Sequence, residues 1–202
     1  MFKSPHVPFA VMAAIGSLSL SACTTLGADA DAEMAGQSAS AQGVVTVGGA
    51  PMYPTKNIVE NAVNSRDHTT LVAAVKAAGL VETLSGPGPF TVFAPTNSAF
   101  ERLPAGTVQT LLRPENRTML QTVLTYHVVP GRLTASDLTR RIRDGGGQAR
   151  LTTVQGGQLT ARMAGNRIVL VDAKGGTANV VQGDVMQSNG VIHVTDSVSL
   201  PG

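Results

Sequence analysis

The feature that most limits what this chain can become is a change of period past its middle. Between residues 151 and 195 the apolar residues fall into five short runs, at 151–154, 159–163, 168–172, 179–185 and 191–195. Gly156-Gly157, Gly165-Asn166, Gly175-Gly176 and Asn189-Gly190 separate them, and such pairs reach the positive φ that a tight hairpin needs. Upstream the apolar spacing is helical. Ile58, Val59, Ala62 and Val63 follow Thr55-Lys56-Asn57. Leu71, Val72, Val75 and Ala78 follow Asp67, which is read as the cap of their helix, and Gly79 stands where a C′ glycine belongs. Helices followed by a run of antiparallel strands predict an α+β fold, not a parallel α/β sheet.

The stretch between the two regimes is punctuated by proline. Gly86-Pro87-Gly88-Pro89 forces a turn and delivers residues 90–94 (FTVFA), which read as a buried strand. Thr96 and Asn97 can start a short helix, their side chains bonded to backbone amides of the turn that follows. Val108, Leu111 and Leu112 mark a further turn or two of helix. Pro114 suits the first position of the next one, whose inner face is Met119, Leu120, Val123 and Leu124. A last helix over 135–143 is stopped by Gly145-Gly146-Gly147. There is no internal repeat.

The N-terminus carries a different signal. After Lys3, residues 7–20 are apolar or small, too short for a spanning helix but suited to the core of an export signal. The segment ends in Leu20-Ser21-Ala22-Cys23, which resembles a bacterial lipobox and contains the only cysteine of 202 residues. The resemblance implies diacylglycerol transfer to the Cys23 sulfur, cleavage after residue 22 and acylation of the new amine. It also implies a membrane partner through the anchor and, because Thr24 is not Asp, passage to the outer membrane of the cell envelope. The alternative is an ordinary secretory signal with Cys23 incidental. Residues 24–52, rich in Ala, Gly, Ser and Gln, read as a flexible tether in which 44–47 pair at most as a weak edge strand. The organisation predicted is a signal at 1–22, lipidated Cys23 and tether to 53, and one domain over 54–202.

Composition narrows the chemistry. Aromatic residues are 3% and Trp is missing, so the core must be aliphatic. A formal charge of +2, with no basic stripe interleaved by aromatics, argues against nucleic acid. One cysteine permits neither an internal disulfide nor a thiolate cage. Of His68, His127 and His193, no two stand four residues apart, and there is no His-Glu-x-x-His, no Gly-x-Ser-x-Gly elbow and no P-loop. In an alternating strand His193 faces away from Ile192 and Val194. No catalytic residue, metal site or cofactor is predicted. Arg140, Arg141 and Arg143, with Arg132 nearby, form the basic cluster, either a solvated helix face or a surface for an anionic partner such as polysaccharide or lipid A.

Three segments together resemble one family. Residues 90–103 (FTVFAPTNSAFERL), 126–131 (YHVVPG) and 189–201 (NGVIHVTDSVSLP) resemble, in order and spacing, the signatures of the fasciclin (FAS1) domain. The resemblance spans about residues 56–201. It implies a twisted antiparallel β-wedge or sandwich with several short helices packed on it, and extracytoplasmic adhesion instead of catalysis. It also implies interaction roles for Tyr126 and His127. In animal members a Glu-Pro-Asp-Ile-Met stretch resembles an integrin-contact motif. Here the positions are Gln182, Gly183, Asp184, Val185 and Met186, so Asp184 and Met186 match, Val185 is a close replacement, and the acid and the ring are lost. The competing reading is structural: Asp184 tightens a turn, Val185 fills core and His127 is buried and hydrogen-bonded.

Two functions follow from this resemblance. One is a non-catalytic adhesion or interaction module on a lipid anchor, with a protein or polysaccharide surface partner. The other is an extracytoplasmic carrier of an apolar ligand, a lipid or a carotenoid-like pigment.

Overall fold

A glycine pair opens the described part of the chain. The structure, a computed structural model, describes residues 44–202; the expected signal, Cys23 and most of the expected tether lie outside those residues. Strands β1 (Val45–Val47) and β2 (Ala50–Met52) pair antiparallel, with Val47 opposite Ala50. Gly48 and Gly49 join them at φ 57° and 75°, the double positive φ of a type I′ turn. Val47 and Met52 are buried in the main core. The stretch expected as tether to residue 53 is therefore a packed hairpin from residue 45 onward.

The helices follow local chemistry with two exceptions. Helix α1 (Ile58–Ala62) starts with a capping box between Asn57 and Glu60. A 3-10 turn (Arg66–His68) leads into α2 (Thr69–Ala78), which ends on Gly79 at φ 73°. Asp67 does not cap α2: His68 stands at the cap position and offers no side-chain bond. Helix α3 (Val81–Ser85) then leads to β3 (Phe90–Pro95). Thr96 caps α4 (Asn97–Glu101), as expected. Helix α5 (Thr107–Leu111) and a 3-10 turn at Pro114–Asn116 precede α6 (Arg117–Tyr126). Leu120, Val123 and Leu124 are buried, but Met119, expected on the inner face, is 58% exposed. After β4 (Val128–Pro130), helix α7 (Ala135–Asp144) begins with a second capping box, Thr134 with Asp137. No helix among the described residues is long and apolar enough to cross a membrane.

The remaining strands are β5 (Gln148–Thr152), β6 (Gln158–Ala164), β7 (Arg167–Val171), β8 (Thr177–Gln187) and β9 (Gly190–Thr195). With β3 and β4 they make a seven-stranded sheet in the order β4-β3-β9-β8-β7-β6-β5. The α+β class stands. One pairing departs from the antiparallel expectation: β3 and β9 run parallel, Phe90 beside Gly190 through Pro95 beside Thr195. Strand β8 is long and irregular, with register shifts between Val180 and Gln182 and between Gln182 and Val185. Such bulges bend a strand. Its residues 177–179 pair with β7, and its pairing with β9 runs from Val180 to Gln187.

The bent sheet separates two cores. One lies among β1, β2, α1, α2, α6 and the faces of β3 and β9 that carry Val92, Ala94, Ile192 and Val194. The other lies between α7, through Leu138 and Ile142, and β5 to β8. His193 faces away from Ile192 and Val194, as alternation predicts, and stacks on Phe93 with ring centroids 5.6 Å apart. Every residue of β9 is buried.

Candidate functional site

The residues that sequence reading singled out are drawn into the fold. Tyr126, at the end of α6, is fully buried. Its hydroxyl donates to the Gln158 carbonyl (2.7 Å) and accepts from Ala173 N–H (3.1 Å). Burial pushes its pKa up. His127 is buried beside it. Its Nδ1–H meets the Val123 carbonyl at 2.8 Å, and Nε2 accepts from Ser199 N–H at 3.0 Å. That pair fixes one neutral tautomer and fastens the C-terminal segment to the core. Burial pushes the His127 pKa down.

Asp184 sits at the second β8 bulge with φ 56°, a left-handed conformation that Asp tolerates better than most residues. Its Oδ1 accepts the Ala135 N–H at 2.7 Å, satisfying an unpaired donor at the start of α7. His193 completes this junction. Its Nε2–H donates to the Leu133 carbonyl (2.7 Å) and its Nδ1 accepts from Asp184 N–H (3.4 Å). Burial again lowers the histidine pKa. A Cβ at Gly183 would stand 3.1 Å from His193 Nδ1. Val185 is buried, and Met186 is half-buried. Of the residues expected to face a partner, Tyr126, His127 and Val185 are buried side chains. His127 is hydrogen-bonded within the fold, Val185 lies in the core, and Asp184 bonds the start of α7.

His68 is the third buried histidine. Its Nδ1 pairs with Ser65 Oγ at 2.9 Å, and its Nε2 has no partner within hydrogen-bond geometry. Burial lowers its pKa, against a smaller opposing effect of the Ala94 backbone. Among the described residues no group of three His, Cys, Asp or Glu converges as a metal cage would.

Three polar side chains matter more than sequence reading foresaw. Asn97 does not bond its own turn. Its Oδ1 accepts from Thr70 N–H (3.0 Å) and Thr69 Oγ1 (3.2 Å), and its Nδ2 donates to the Arg66 carbonyl (2.8 Å). It caps α2 from another helix. Asn189 donates to the carbonyls of Leu84 and Gly86 and accepts from Ile58 N–H, so one turn residue ties α1, α3 and β9. Asp196 holds Asn179, through the backbone and the side chain, each at 2.8 Å. Burial pushes the Asp196 carboxyl up, but Asn179, Ser197 and Arg102 together hold it below the usual range.

The space left over is of two kinds. Under α1, α2 and α3 lie apolar voids of about 40 Å³ and about 30 Å³, which share Ile58, Ala62, Leu71 and Val92 in their linings. A third of about 20 Å³ meets the first at Leu84, Leu124 and Val128. Elsewhere an open groove of about 650 Å³ runs between the end of α7 and β5.

Comparison with known proteins gives a consistent answer. A family model described as Fasciclin domain matches residues 66–201. Protein sll1483 of Synechocystis sp. is 49% identical over 144 residues, covering 71% of this chain and 73% of the relative. The cell surface glycolipoprotein MPB83 of Mycobacterium bovis is 34% identical over 145 residues, covering 69% of this chain and 58% of the relative. Among solved structures, the FAS1 domain pair of the insect cell adhesion molecule Fasciclin I superposes with a TM-score of 0.64 at 18% identity. That match covers 71% of this chain and 50% of the solved one.

Proposed function

The chain belongs to the fasciclin domain family, and on that premise we propose that it is a non-catalytic adhesion and interaction module of the cell envelope, displayed on a lipid anchor at Cys23. The observation that carries this reading is the use the fold makes of its polar side chains. His127, His193, Tyr126, Asp184 and Asp196 are each held in hydrogen bonds to a helix start, a strand, a loop or the C-terminal segment. A general base needs a lone pair aimed at substrate in open space, and those of His127, His193 and Tyr126 accept from backbone N–H groups. What the domain offers a partner is surface. The relative named a cell surface glycolipoprotein supports the anchor, and Thr24 favours the outer membrane.

Beads coated with the purified chain should capture host cells well above beads coated with an unrelated protein of similar charge. Equal capture by both would remove the adhesion reading.

One observation favours a second function, carriage of an apolar ligand: beneath α1 to α3 lies an apolar void that shares lining residues with each of two smaller ones. Protein purified from its host would then carry colour or solvent-extractable lipid. A colourless, lipid-free preparation would dismiss this reading.

A further inference from the structure

The positive charge of this domain is gathered at one end of the sheet. Residues 140–167 contain six arginines, no lysine and a single acid, Asp144. The rest of the described residues carry eight basic and nine acidic side chains. All six arginines are exposed. Only Arg140 has an ion pair among the described residues, with Asp137.

Strand register aligns three of them. Ala149, Leu151, Leu159, Ala161, Ile168 and Leu170 face the core, so Arg150, Arg162 and Arg167 face outward. Arg150 lies opposite Thr160 and Arg162 opposite Gln148. Arg162 lies opposite Val169 and Arg167 opposite Ala164. Each neighbouring pair of arginines is therefore a diagonal pair, with backbones about 7–8 Å apart. The result is a stripe crossing β5, β6 and β7. Arg141 and Arg143 stand in the last turn of α7, on the other face of the sheet. There the helix dipole supplies a structural reason for cations, but no such reason reaches the strand arginines. Arg141 and Arg150 both line the open groove, with Asp144, Gly145, Gln148 and Ala149 as its other walls, so its two arginines outnumber its one acid.

We propose that this arginine stripe and the groove at its end are a docking track for an acidic polysaccharide. The inference rests on the adhesion reading and names a partner class for it. Guanidinium groups match carboxylate and phosphate oxygens with two parallel hydrogen bonds. The charges straddle the β5 edge, so a planar bilayer meets one face of them only. A chain-like polyanion can follow the stripe and turn into the groove. There the Gln148 amide and the backbone of Gly145, free of a side chain, suit sugar hydroxyls. The fold gains no ion pair from Arg150, Arg162 or Arg167, and like charges on one strand face repel. Removing two of them leaves stability unchanged or slightly higher.

The test measures binding of the purified full chain to immobilised alginate, a polymer of uronic acids. Dextran, polyglutamate and vesicles containing phosphatidylglycerol serve as the other arms. Alginate binding should exceed all three and weaken steeply with salt. Arg150→Gln with Arg162→Gln should reduce alginate affinity at least tenfold without lowering the melting temperature. Arg113→Gln with Lys174→Gln, equal in net charge, should change it less than twofold. Equal losses in the two double variants would overturn the proposal, as would stronger binding to polyglutamate or to vesicles, or alginate binding no better than dextran. If alginate binding fails while coated beads still capture cells, the stripe is dismissed and the adhesion reading stands. The converse result dismisses adhesion alone.

Discussion

Replacing Asn97 by Ala tests how α2 is held. Helix α2 has no side-chain cap of its own, and the Asn97 side chain supplies one from α4 by accepting the Thr70 N–H, with further bonds to Thr69 Oγ1 and the Arg66 carbonyl. Loss of an asparagine cap costs about 0.5–2 kcal/mol. The Arg66 carbonyl also loses its donor, worth about 1 kcal/mol where water replaces it imperfectly. Thr70 is half-buried and Arg66 exposed, so solvent recovers part of the loss. The expected destabilisation is about 2 kcal/mol. For a domain of this size that lowers the melting temperature by about 4–8 °C. Urea unfolding followed by far-ultraviolet circular dichroism would measure it. Asp67→Ala is the control, expected to cost under about 0.5 kcal/mol because exposed surface changes away from caps do little. If Asp67→Ala costs as much as Asn97→Ala, or if Asn97→Ala costs under about 0.5 kcal/mol, the tertiary cap is wrong.

Further outcomes follow from the same contacts. His68, His127 and His193 all have pKa values lowered by burial below 6.5. The unfolded chain therefore takes up protons first as pH falls, so stability is full above pH 6.5 and lost below it. Urea midpoints should be flat from about pH 8 to 7. Below about pH 6.5 they should fall as the unfolding free energy drops by up to about 1.4 kcal/mol per pH unit for each histidine; a midpoint unchanged down to about pH 5 would contradict this. Gly190→Ala would drive a methyl into the Phe90 backbone and part the parallel pair, costing about 3 kcal/mol. Gly165→Ala, in open space at φ 59°, should cost about 1 kcal/mol; comparable losses in chemical unfolding would refute the distinction. Tyr126→Phe leaves the Gln158 carbonyl and Ala173 N–H without their shared hydroxyl. It should cost about 1–3 kcal/mol by the same assay.

Much of the fold is legible in local pattern. The turns at Gly156-Gly157 and Gly165-Asn166, the C-terminal Gly79 and the buried strand at β3 follow from spacing and backbone preference alone. What escapes is what depends on residues far apart. The cap of α2 comes from a side chain 27 residues beyond Thr70, and a plausible Asp67 stood in its way. Alternation reveals that β3 and β9 are buried strands but says nothing of which strand lies beside which, so their parallel pairing was invisible. The β1–β2 hairpin did carry a signal, Gly48-Gly49 between alternating residues, masked by the small polar residues before it. Met119 is apolar yet points outward, because the α6 stripe is narrower than its sequence suggests. At the site, the apolar flanks of His127 foretold burial, whereas the Asp184 to Ala135 bond needed the β8 bulge, which no short-range pattern encodes.

Attachment of a strain lacking this chain, measured as cells retained under flow on a solid surface and on a lawn of wild-type cells, is the most direct trial of the adhesion account. Retention should fall on both surfaces. The intact chain should restore it, and a Cys23→Ala chain produced at equal level should not, since the same domain would no longer be held at the membrane. A deletion strain that is retained as well as the wild type on both surfaces would contradict the account.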